Sequence, residues 1–84
     1  MYATIKFDLQ SEIVAFTKLA AERGVDIILR HGAYAVDATS LLGIMSLDLS
    51  QPVKIDYPGY DEERLEFFNM LRAKGFKILT YGEI

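Results

Sequence analysis

A chain of 84 residues with 51% hydrophobic content closes one two-layer core, so residues 1–84 read as a single domain with no room for a second. Twelve acidic residues against 9 basic ones give a formal charge of −3 without a basic stripe, which argues against nucleic acid, and the lack of cysteine excludes disulfides and thiolate metal sites. No apolar run approaches the roughly 20 residues that span a bilayer, and the N-terminus has no signal-peptide pattern, so a soluble, cytoplasmic protein is expected.

From Tyr2 to Phe7, apolar Ala3, Ile5 and Phe7 alternate with Tyr2, Thr4 and Lys6, the period of a half-buried strand that ends at Asp8. From Ser11 the period lengthens: Ile13, Phe16, Leu19 and Ala20 form the apolar stripe of a helix over 12–22. Ser11 can cap it, and Arg23 and Gly24 suit its end. Val25, Ile27 and Leu29 then alternate with Asp26 and Arg30, and a second extended stretch runs from Ala33 to Asp37. The two predict a hairpin turning at His31-Gly32.

A short helix is expected over 40–48, in spite of Gly43 in its middle. Val53, Ile55 and Tyr57 mark the fourth strand, and Pro58-Gly59 turns the chain. Asp61, Glu62 and Glu63 place negative charge at the start of a helix over 61–74, with Leu65, Phe68, Leu71 and partly Phe67 facing the core. "FKILTY", residues 76–81, reads as a fifth strand or as a docked tail. The order βαββαβα, with a further terminal strand left open, makes the class α+β: an antiparallel sheet with helices segregated to one face.

With that order in hand, "VDATSLLGIMSL", residues 36–47, resembles the second-helix signature of the HPr family, the histidine-containing phosphocarriers of the bacterial sugar phosphotransferase system. The likeness is specific over the whole run, Val36, Ala38, Thr39, Ser40, Leu41, Leu42, Gly43, Ile44, Met45, Ser46 and Leu47. It extends more weakly back to Phe16 and forward to Pro58-Gly59-Tyr60-Asp61-Glu62, leaving residues 76–84 as an addition. It implies an HPr-like open-faced sandwich with sheet order 1-4-2-3 and three helices on one face.

The same family carries a "G-L-H-x-R-P-A" loop whose histidine takes a phosphoryl group at the N-terminus of the first helix. Here the stretch is "FDLQSEIVAF", with Leu9 or Gln10 where the histidine would stand and Ser11 or Glu12 where the arginine would stand. Neither leucine nor an amide can carry a phosphohistidine, and Glu12 would repel a phosphoryl dianion, so the relay is inferred lost.

Other positions carry competing readings. His31, the only histidine, is either turn chemistry or a relocated phosphoacceptor. The resemblance implies Ser40 as a kinase-directed phosphosite, while local chemistry makes Thr39 or Ser40 an N-cap. The apolar residues of helix two cannot all face one sheet, because consecutive positions lie about 100° apart. Those that correspond to the family's docking patch are Leu41, Leu42 and Met45. Partner docking and a homodimer are both open for that face.

Residues 61–63 need no metal, since charge at a helix start accounts for them, and no nucleotide or hydrolase motif occurs, so no cofactor is expected. The expected protein is a non-enzymatic regulatory or adaptor module, with a phosphocarrier acting through His31 or a homo-oligomeric structural domain as alternatives.

Overall fold

A computed structural model describes residues 2–82, which form β1 (Tyr2–Lys6), α1 (Gln10–Arg23), β2 (Ile28–His31), β3 (Tyr34–Asp37), α2 (Leu41–Met45), β4 (Val53–Asp56), α3 (Asp61–Ala73) and β5 (Lys77–Gly82). The five strands make one antiparallel sheet in the order β3-β2-β4-β1-β5. Read from the other edge, strands 1, 4, 2 and 3 follow one another, with β5 outside β1.

Alternation along the strands decides which face is covered. Ala3, Ile5, Leu29, Val53 and Ile55 are buried, while Tyr2, Thr4, Lys6, Arg30 and Lys54 between them are not. The inward set joins a single core with Ile13, Phe16 and Ala20 of α1, Ile44 of α2, and Phe67, Phe68 and Leu71 of α3. Phe16 sits at the centre, its ring edge-on to Phe7 at 5.4 Å, Phe67 at 6.2 Å and Phe76 at 6.3 Å between centroids. At the margin of this core, Arg23 Nε donates to Tyr57 Oη at 3.0 Å while its guanidinium lies 5.6 Å from the centroids of the Tyr57 and Phe67 rings.

Three details correct the sequence reading. The helix-one start is Gln10, with Leu9 at the cap position, so Ser11 lies in the first turn and does not cap it. The hairpin pairs His31 with Tyr34, so the two-residue turn is Gly32-Ala33 and not His31-Gly32. Gly32 alone of the pair has positive φ, 59°, the pattern of a type II′ turn. Leu65, which its spacing places on the α3 core stripe, is 38% exposed, because Phe67 takes the inward position fully. Of the two readings open for residues 76–81 the strand holds: β5 pairs with β1, with a bulge at Leu79 between the Ile5–Ile78 and Thr4–Thr80 partners. It covers the hydrogen-bonding edge that β1 would otherwise present.

Candidate functional site

The N-terminus of α1 and the outer surface of α2 meet on one side of the molecule. Helix α2 is only five residues long, and two side-chain turns hold it in place. Thr39 donates from both its amide (2.8 Å) and its hydroxyl (2.7 Å) to Asp37 Oδ1, which draws the Asp37 carboxyl below its ordinary range. Thr39 is thereby committed backward. Ser40 is left as the N-cap, its Oγ accepting from the Gly43 amide at 3.0 Å. Gly43 fits closely here: a Cβ would stand 3.0 Å from Ser40 Oγ and 3.3 Å from the Val36 Cβ, so a larger residue would press on the capping hydroxyl.

This anchoring turns Ile44 and Leu47 into the core and the other face outward. Leu42 is 84% exposed, Met45 43% and Leu41 36%, while Leu49 is partly buried. Beside them, at the cap position of α1, Leu9 is 63% exposed. Gln10 bridges the two elements, its Nε2 lying 4.0 Å from Met45 Sδ. Leu9, Gln10, Ile13, Met45 and Leu49 line a shallow cleft of about 350 Å³ at this junction. Of the three α2 residues picked out from the sequence, Met45 shares this cleft with Leu9 and Gln10, while Leu41 and Leu42 are exposed on the same helix. The contribution of Leu9 to the patch was missed, because it was read only as a lost acceptor position.

Residues 9–12 have an internal arrangement that explains their chemistry. One oxygen of Glu12, Oε1, accepts from the Leu9 amide at 2.8 Å and from the Asp8 amide at 2.9 Å. Leucine has no side-chain oxygen for the first-turn amides, so only the returning half of a capping box is made, the carboxylate at the third helical position serving the amides of the cap residue and the one before it. Asp8 in turn bonds Lys77 and, at 3.2 Å, Lys6, and these contacts hold its carboxyl below the ordinary range. An anion arriving at this helix start meets two carboxylates, two amides already accepted, and lysines already engaged.

His31 lies elsewhere. It ends β2 half-buried, opposite Tyr34. The acidic neighbour Asp48 is held below its usual range by the Ser50 hydroxyl and amide, with the His31 ring adding to the effect. Among the described residues, no group of three or more metal-ligating side chains comes together, and no helix is long and apolar enough to cross a membrane. A second open groove of about 620 Å³ runs along α1 past Ser11, Lys18, Glu22 and Phe76.

Compared with known proteins, the chain matches no family model and no curated sequence.

Proposed function

We propose that this chain is a non-enzymatic HPr-like docking module. It engages protein partners of the cytoplasmic phosphotransferase or its regulatory circuits through Leu41, Leu42 and Met45, and has lost the phosphohistidine relay. The observation that carries this reading is a conjunction. Leu9, Gln10 and Met45 line one cleft at the junction of α1 and α2, with Leu41 and Leu42 exposed on the same short helix as Met45, while Asp8 and Glu12 set two carboxylates at the helix start where a phosphoryl dianion would sit. The strand order, with β5 set aside, supports the HPr-like arrangement. Ser40 enters as a phosphosite through the resemblance alone. Its hydroxyl accepts from Gly43, which supports a capping role for it in the unmodified chain.

Incubation with phosphoenolpyruvate and the general phosphotransferase enzyme tests the loss of the relay: no phosphoryl label is expected, and stable label on His31 overturns it. Docking is tested by pull-down with immobilised wild-type chain against the triple variant Leu41→Ser, Leu42→Ser, Met45→Gln. Partners of the wild type should be absent from the variant, and an unchanged set of partners overturns the assignment of this face.

A further inference from the structure

Within the exposed patch, Met45 differs from its leucine neighbours in having a polar donor already directed at it. Gln10 Nε2 lies 4.0 Å from Met45 Sδ, reaching across from the first turn of α1 to the last residue of α2. The Met45 side chain is open to solvent, with the residue 43% exposed, whereas Met70 is partly buried against the core. The chain has no cysteine to consume an oxidant first.

We propose that Met45 is an oxidation site for peroxide-class oxidants and that Gln10 holds the product. In the reaction the thioether sulfur attacks the terminal peroxide oxygen. The O–O bond breaks and an S–O bond forms; sulfur is oxidised by two electrons, and hydrogen peroxide leaves as water after a proton shifts between its oxygens. A thioether is a weak acceptor, but the sulfoxide oxygen is a strong one. Projecting from sulfur toward the Gln10 amide, it turns a marginal contact at the limit of sulfur hydrogen bonding into an ordinary N–H···O bond. The consequence is local and large. A pliable apolar side chain beside Leu41 and Leu42 becomes polar and is fastened to α1, so the patch loses apolar area where a docking surface needs it. The oxidation and the Gln10 bond do not depend on the docking role; only the consequence for a partner does.

The test therefore uses no partner. Folded chain is treated with graded hydrogen peroxide and digested, and the gain of one oxygen is followed in the peptides holding Met45 and Met70. Oxidation of Met45 is expected several-fold faster, and equal or slower oxidation overturns the site. The thermal midpoint is then measured before and after oxidation for the wild type and for Gln10→Leu, a change at an exposed position, the unoxidised variant's own cooperative melt establishing that it folds. Oxidation should lower the midpoint more in the variant than in the wild type, and an equal drop in both overturns the role of Gln10.

Discussion

The Leu9 amide donates to Glu12 Oε1 at 2.8 Å, a side chain from within the helix closing the start that its cap residue cannot close. The Asp8 amide uses the same oxygen. Substitution Glu12→Ala returns both donors to solvent and removes a negative charge from the positive end of α1. A loss of about 1 kcal/mol is expected in urea unfolding at neutral pH, the usual magnitude for a lost cap. Glu12→Gln keeps an acceptor oxygen and should lose less. Equal stability of all three proteins would show that water replaces the carboxylate without cost.

Ser40 separates two roles that its sequence context leaves together. Because Oγ accepts from the Gly43 amide, Ser40→Ala should cost about 1 kcal/mol, while Ser40→Asp, which retains an acceptor, should stay within about 0.5 kcal/mol of the wild type. Urea denaturation of the three proteins checks this. If the aspartate variant is as unstable as the alanine one, the hydroxyl is not acting as a cap.

Acid should unfold the chain through its turn and loop aspartates. The Asp8 carboxyl lies below its ordinary value because of its hydrogen bonds to Lys77 and then Lys6, that of Asp37 because of Thr39, and that of Asp48 because of Ser50. A carboxyl that is more acidic folded than unfolded adds stability above its unfolded value, about 3.9 for Asp. As pH falls the unfolded chain takes up the proton first, and the contribution disappears as pH passes the lower, folded value. The thermal midpoint should therefore hold through mildly acidic pH and decline below the ordinary aspartate range. Asp8→Asn should flatten part of that decline, and added salt should reduce the difference between the two proteins, since the Asp8 pairs are solvent-exposed.

The α+β class and nearly every element were legible because the apolar period changes cleanly, from two in Tyr2–Phe7 to three and four in Ile13–Ala20. The hairpin turn was misplaced by one residue. His31-Gly32 and Gly32-Ala33 both supply the one positive φ that is needed, and only the pairing of His31 with Tyr34 distinguishes them. Leu65 reads as core on the spacing from Phe68, but adjacent Phe67 and Phe68 rotate the buried face of α3 away from it. At the candidate site, the outward leucines of α2 were legible because Leu41, Leu42, Ile44 and Met45, at about 100° per residue, spread around the whole helix and cannot all face one sheet. The capping by Glu12 was hidden. A carboxylate three residues after a cap position signals capping when that position is serine or threonine, and here it is Leu9.

The two faces of α2 predict opposite responses to substitution. Ile44 is fully buried among the core side chains and Leu42 is 84% exposed, although both are apolar residues of one short helix. Ile44→Ala removes buried methyl and methylene groups and leaves a cavity that the surrounding sheet can only partly close, so a loss of about 2–5 kcal/mol is expected. Leu42→Ser removes surface that water already reaches and should change stability by no more than about 0.5 kcal/mol. Leu42→Ser should nevertheless abolish whatever docking the patch performs, since an exposed apolar side chain contributes to binding what it does not contribute to folding. Urea midpoints for the two variants, set beside the pull-down, check the division. A Leu42→Ser protein destabilised as strongly as Ile44→Ala would mean that Leu42 packs within the fold and that the patch is core after all.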